Sequence, residues 1–324
     1  LKNLSKIKDE VRKALERGDV KYVLGYAQGY GARVSPFFAR TVEDTEKLIF
    51  SPLCANNLTT YLTLQEKPAL PKGATPDKRK IALFVKGCDS RALIQLIAEG
   101  GISRDELVIL GVPCGGTVDI EKLEAKFPIS FKIDVAEEGE KFIVSADGEK
   151  QEIPKEELLL QKCSLCEYPN PLIYDVLLGE EKEKKAKNYQ SISTFEKKSP
   201  NEKWAYWEDK FARCIRCYAC RNICPLCYCD SCILDKLSPQ WIRRSVNLSE
   251  NTVFQLLRTF HLAGRCIGCG ECERACPMGI PLGELNTKLE KDVRELFAYE
   301  PGIDMEGKSL LSQFKPEDKE DFIL

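Results

Sequence analysis

The chain has 324 residues, of which 43% are hydrophobic and 30% charged, and its 48 basic side chains nearly balance 50 acidic ones. That composition suits a folded chain of about two domains and excludes wholesale disorder, while the near-neutral balance supplies no field to draw nucleic acid or an anionic membrane. No stretch approaches the roughly 18 to 20 apolar residues of a spanning helix, and the N-terminus shows no charged-then-apolar leader, so a cytoplasmic protein without a membrane span is expected.

In chain order, Leu4, Ile7, Val11 and Leu15 repeat at helical spacing and predict an amphipathic helix. From Lys80, IALFVKGC reads as a buried strand, SRALIQLIAEGG as a helix and ELVILGVPC as a second strand. The crossover of such a βαβ unit makes its strands parallel and puts Cys88 and Cys114 at their carboxyl ends, where open α/β sheets place ligands. Further strands are expected around Ile129 to Val135, Phe142 to Ser145 and Gln151 to Ile153, with Asp147-Gly148 as the hairpin turn. The run GEEKEKKAKNYQ and the polar residues up to about Pro200 read as a charged linker, with a solvated helix face as the alternative for the charge run. Ser249 to Leu262 predicts a capped helix, and Pro301 to Leu324 reads as a polar arm or a frayed tail.

Sixteen cysteines accompany a single histidine, His261. In a reducing cytosol such richness favours metal ligation over disulfides. With one imidazole the ligands must be thiolates, which suit iron-sulfur clusters or structural zinc. His261 itself, near the end of the predicted helix, reads as a capping or surface residue.

Two runs share the spacing C-x2-C-x2-C-x3-C-P. The first is Cys214, Cys217, Cys220 and Cys224-Pro225; the second is Cys266, Cys269, Cys272 and Cys276-Pro277. Three thiolates on a tight turn can cap three irons of a cubane, and the fourth must arrive from elsewhere; in two-cluster ferredoxins the fourth Cys of each run serves the other cluster. That rule predicts one 4Fe-4S cluster on Cys214, Cys217, Cys220 and Cys276, and a second on Cys266, Cys269, Cys272 and Cys224. Zinc would need only paired cysteines and leaves the third Cys and the Cys-Pro of each run unexplained. The spacing Cys220-x3-Cys224-x2-Cys227 also matches radical S-adenosylmethionine enzymes, but the duplicated run already accounts for two of those three. The second half thus resembles bacterial-type dicluster ferredoxins, with a long insertion between the runs. Trp204, Tyr206, Trp207 and Phe211 precede the first run, either as plain packing or as a shield that keeps water from a cluster.

The order Lys-Gly-Cys88-Asp-Ser-Arg-Ala-Leu, Leu-Gly-Val-Pro-Cys114-Gly-Gly and Lys-Cys163-Ser-Leu-Cys166-Glu resembles the beta subunit of coenzyme F420-reducing hydrogenase and formate dehydrogenase, over residues 80 to 180. In that family cysteines at these motifs serve a cluster beside a flavin. The resemblance implies a third cluster on Cys88, Cys114, Cys163 and Cys166, against the alternatives of buried apolar thiols, a redox dithiol or half a zinc site. Cys54, Cys227, Cys229 and Cys232 are then left over, the number a fourth cubane needs, with free thiols or a zinc site as the alternative. Lys86 and Arg91, beside the carboxyl end of the first parallel strand, are candidates for the phosphate of FAD, against a reading as surface charge. No G-x-G-x-x-G follows a strand.

The expected class is mixed α+β: an α/β iron-sulfur domain with a partly parallel sheet over 1–180, a linker over 181–202, a mainly helical dicluster ferredoxin-like domain over 203–300, and an arm or tail over 301–324. With many cluster ligands and no clear general acid or nucleophile, the expected function is to relay single electrons inside a redox complex. By resemblance the other subunits would belong to a hydrogenase, a formate dehydrogenase or a heterodisulfide-reductase-like module, in anaerobic metabolism. The alternative is a flavin-containing reductase subunit acting on coenzyme F420 or NAD(P)H.

Overall fold

The computed structural model describes residues 4–65, 77–128, 130–312 and 316. It forms two compact units, Leu1–Arg91 with Ile102–Lys187, and Ala92–Gly101 with Asn188–Leu324. The class is mixed α/β, with a partly parallel sheet in the first unit and helices around the cysteine runs in the second.

Helix α1 (Leu4–Glu16) opens the first unit and turns Ile7, Val11 and Ala14 inward, each at most 1% exposed, the spacing of one helical face. Strand β1 (Val20–Gln28) is the hub of the main sheet. It pairs antiparallel with β2 (Val34–Ala39) and β3 (Leu48–Ile49) and parallel with β4 (Lys80–Val85). Strand β5 (Leu107–Gly111) runs parallel between β4 and the short β9 (Val176–Leu177). Ile81 to Val85 are all buried, so this strand is an unbroken apolar run, as expected where a parallel sheet is covered on both faces. Helix α2 (Gly87–Ala98) follows β4 directly and brings Cys88 into its first turn.

Gly87 is required by its neighbours. A Cβ there would lie 1.8 Å from the Tyr168 carbonyl oxygen and 3.0 Å from that of Asn170, so the backbone after Cys166 is laid directly on the start of α2. Backbone cannot swing aside as a side chain can. Gly87→Ala is therefore expected to destabilise the chain by about 3 kcal/mol, the upper end of ordinary overpacking, read as a lowered urea midpoint.

A second, antiparallel sheet joins β6 (Ile133–Glu138), β7 (Lys141–Ala146) and β8 (Glu149–Pro154) in sequence. Asp147 and Gly148 turn the chain with φ of 49° and 98°, the positive pair that a two-residue hairpin needs. The first of these strands starts later than the apolar run suggests. Ile133 and Val135 face inward while Asp134 and Ala136 face out, and this alternation carries pairing on to Glu138, whereas residue 129 lies outside the described residues.

The second unit is built on helices α3 (Pro200–Ala212), α4 (Leu248–Phe260) and α5 (Leu282–Phe297). The segment expected to be a linker instead contains the helix Gln190–Glu196 and the start of α3. A capping box stops the polar stretch: Glu202 N donates to Ser199 Oγ at 3.3 Å, and Ser199 N donates to Glu202 Oε2 at 2.8 Å, with Pro200 at the first helical position. Helix α4 begins under Asn247, whose Oδ1 accepts from Glu250 N at 3.0 Å. The core of the unit includes cysteines: Cys214, Cys220 and Cys272 pack with Leu234, Ile242, Phe254, Ile280 and Leu282. Leu234 and Ile242 come from the insertion between the runs and anchor it. Of the aromatic stripe, Trp207 stacks on Phe211 at 5.4 Å and meets Tyr206 edge-on, while Trp204 is exposed. No helix among the described residues is long and apolar enough to cross a membrane. The expected C-terminal arm is described only to residue 312 and at 316.

Candidate metal centres

The two cysteine runs are conformational twins. In the second, Gly268 and Gly270 flank Cys269 with φ of 67° and 66°; in the first, Arg216 and Tyr218 flank Cys217 with φ of 55° and 61°. Each run then enters a one-turn helix, Ala219–Asn222 or Glu271–Arg274. For a side-chain-bearing residue the left-handed conformation costs about 1–2 kcal/mol, and the first run bears it twice. Arg216 offsets this cost. Its buried guanidinium donates to the Glu250 carbonyl at 2.8 Å, the Arg243 carbonyl at 3.3 Å and the Tyr218 hydroxyl at 3.3 Å, and it lies 4.6 Å from the centre of the Phe254 ring. Sequence reading missed Arg216 and Tyr218, although aligning the runs sets them against the two glycines.

A cavity beside the first run is lined by Cys214, Cys217 and Cys220 and also by Cys276 of the second run, with Phe254 and Ile280 as apolar walls. Burial pushes the Cys220 thiol up to about 12, and the Cys272, Cys214 and Cys276 thiols push in the same direction against the charge of Arg258. In the second run, burial raises Cys266 to about 12, with Cys272 and Cys224 adding to it. Cys269 is buried and Cys217 exposed. The structure thus brings Cys276 to the first run and Cys224 to the second.

Sulfur-directed donors surround both groups. Gln255 Nε2 on α4 donates to Cys214 Sγ at 3.5 Å, Ile280 N to Cys276 Sγ at 3.5 Å, and Asn286 Nδ2 on α5 to Cys272 Sγ at 3.3 Å. Asn251 ties the start of the first run to α3, donating to the carbonyls of Cys214 at 2.8 Å and Phe211 at 3.0 Å. Donors of this kind stabilise thiolate charge and raise the potential of a bound cluster.

In the first unit, Cys88 sits just past β4 and Cys114 just past the parallel β5, while Cys163 and Cys166 come from the turn around Gln161–Ser164. Thr117 N donates to Cys163 Sγ at 3.3 Å, and Gly116 N to Cys114 Sγ at 3.4 Å. Burial pushes the Cys114 thiol up to about 12, with Cys163 and then Cys166 adding to it; Cys88 is raised by burial, by Asp89 and further by Cys114. Cys114 thus stands close to Cys163, Cys166 and Cys88, which places the four thiols in one neighbourhood. Thiolates crowded in this way call for a cationic group among them, and four thiolate donors without imidazole are a donor set that iron-sulfur clusters and structural zinc share. Among the described residues no three His, Cys, Asp or Glu side chains converge on a point that would hold a single metal ion, whereas the thiolates of a cubane each bind a different iron and stand further apart.

The leftover cysteines are divided between the units. Cys54 lies in the first, fully buried; Ser51 N donates to its sulfur at 3.3 Å, burial pushes its thiol up to about 11, and Lys86 is its charged neighbour. Cys227, Cys229 and Cys232 lie in the second, where the Cys224 thiol donates a hydrogen bond to the Cys227 sulfur, Cys229 is exposed and Cys232 packs on the core beside Arg221. Lys86 and Arg91 are not surface charges. Lys86 is 1% exposed, and its ammonium donates to the Tyr26 hydroxyl, to the Asn56 carbonyl at 2.8 Å and to Asp89 Oδ2 at 2.9 Å. Those three acceptors use all three of its protons. Arg91 is 4% exposed, its guanidinium 4.5 Å from the Tyr168 ring centre. His261 is exposed at the end of α4.

Residues 213–281 match the family model of a 4Fe-4S dicluster domain. The chain is similar to the F420-dependent formate dehydrogenase subunit beta of Methanocaldococcus jannaschii, at 28% identity across 70% of this chain and 74% of that one. It is similar to the same extent, 28%, to the F420-dependent formate dehydrogenase 1 subunit beta of Methanococcus maripaludis, across 72% and 75%. Among solved structures, the F420-reducing NiFe hydrogenase complex from Methanosarcina barkeri matches with 18% identity and a TM-score of 0.36, covering 50% of this chain and 56% of the matched one.

Proposed function

We propose that the chain is an iron-sulfur electron-transfer subunit of a redox complex. In this reading it carries one cluster on Cys214, Cys217, Cys220 and Cys276, a second on Cys266, Cys269, Cys272 and Cys224, and a third on Cys88, Cys114, Cys163 and Cys166. The observation that carries it is the cavity shared by three cysteines of the first run and the fourth of the second, within the span that matches a dicluster domain. Likeness to beta subunits of F420-dependent formate dehydrogenases supports a place in a complex whose other subunits supply the substrate chemistry, here the oxidation of formate.

A 4Fe-4S cluster, when bound, accepts or releases one electron without a bond being made or broken at a substrate. What the chain's own residues do is hold and tune. The αL positions at 216, 218, 268 and 270 shape the loops, Gln255, Asn286 and Ile280 N–H donate to sulfur, and Phe254 and Ile280 limit water. The cavity holds no carboxylate or imidazole that would act as a general acid or base. A flavin would belong to the first unit by the same likeness, but with Lys86 fully paired its phosphate would need other donors.

Iron, sulfide and flavin quantified on anaerobically purified chain test the reading. Three cubanes give about twelve irons and twelve sulfides per chain. Zinc in place of iron would overturn it, and stoichiometric flavin with turnover of F420 or NAD(P)H by the isolated chain would shift it to a self-contained reductase.

A further inference from the structure

Helix α4 carries a guanidinium in an unusual position. Arg258 is 2% exposed, yet Nη1 and Nη2 have no hydrogen-bond partner among the described residues, and Nε reaches only Gln255 Oε1 at 3.4 Å. No described carboxylate forms an ion pair with it. Burying a guanidinium with its forked donors idle is strongly unfavourable, so the fold has to supply an anion that they meet. The groups its charge acts on are Cys272, Cys220, Cys224 and Cys227. Cys220 belongs to the first ligand set, and Cys272 and Cys224 to the second.

We propose that Arg258 is the shared counter-ion of the two clusters in the second unit, its unpartnered Nη donors facing the sulfur of both, so that one residue sets both potentials. The inference rests on the ligand sets proposed above. A cubane with four thiolates is an anion in both redox states and gains one negative charge on reduction, so a nearby cation favours the reduced form. Because its charge acts on ligands of both sets, Arg258 favours reduction of both clusters and not of one alone. Arg258 is thus a positioning residue for electron flow, and Asn286, which touches Cys272 alone among the ligand sulfurs, is its one-sided counterpart.

The test is an anaerobic redox titration of the full chain followed by electron paramagnetic resonance. Iron and sulfide are measured first in the unaltered protein, so an absence of clusters there sinks the ligand reading rather than this inference. At the potential that half-reduces each cluster of the unaltered protein, Arg258→Gln is expected to lower the reduced-to-oxidised ratio of both clusters about tenfold, which is about 59 mV for a one-electron couple. Asn286→Leu should move one midpoint only. Arg258→Lys keeps the charge on a narrower head and should move both midpoints the same way by less; it also decides the matter if the Gln variant does not fold. Unchanged midpoints in a loaded Gln or Lys variant, or a shift confined to one cluster, would overturn the proposal.

Discussion

Cys276→Ser is expected to remove the cluster of the first run, in which it does not lie, and to spare that of its own run. The thiol of Cys276 shares a cavity with Cys214, Cys217 and Cys220, and its sulfur is oriented there by the Ile280 amide at 3.5 Å. Cys224, in turn, acts on Cys266 and Cys272. Each single serine variant should therefore lose about four irons, which by itself does not say which cluster has gone. Asn286→Leu identifies the survivor, because Asn286 donates to Cys272 Sγ at 3.3 Å. Added to Cys276→Ser, it should still shift the midpoint of the remaining cluster; added to Cys224→Ser, it should leave the survivor unmoved. The opposite pattern would mean that each run ligates its own cluster and that the crossed assignment is wrong.

The parts of this arrangement that could be read from sequence are those in which residue type alone fixes the chemistry. The strand-helix-strand pattern from Lys80 announced a parallel pair, and the pairing of β4 with β5 is parallel. The spacing of the two runs announced a dicluster domain, and the match over 213–281 is of that kind. What stayed hidden is where a polar residue takes on an interior role. An arginine in a loop or in a helical pattern reads as solvent-facing, yet Arg216 of the first run's loop and Arg258 of α4 are among the buried side chains of the second unit. A lysine beside a strand end reads as surface charge or phosphate donor, yet Lys86 is enclosed by its own fold. The start of α3 was hidden for another reason: Ser199 and Glu202 form a capping box inside a stretch whose composition is that of a linker. In each case the deciding partner is distant in sequence or masked by its surroundings, and periodicity carries no information about it.

The enclosed lysine leads to the other large expected effect. Lys86→Met should destabilise the first unit by about 3–5 kcal/mol, the usual cost of breaking a buried ion pair from one side. Asp89 is 0% exposed and its Oδ1 already has no hydrogen-bond partner among the described residues, while Oδ2 accepts from both the Lys86 ammonium and the Lys86 amide at 2.9 Å. Without the ammonium, that carboxylate would be left in the interior with a single backbone donor. The Tyr26 hydroxyl would keep the Asn56 carbonyl, which it meets at 2.6 Å, so the damage should fall on the start of α2, where Cys88 sits. Hydrogen exchange at the β4 amides of the full chain would report the loss of local stability. Lys86→Met combined with Asp89→Leu should recover part of it, because removing both charges leaves neither uncompensated. If the double variant were as unstable as the sum of the two single changes, the pair would be contributing through the backbone contacts of Asp89 and not through its buried charge.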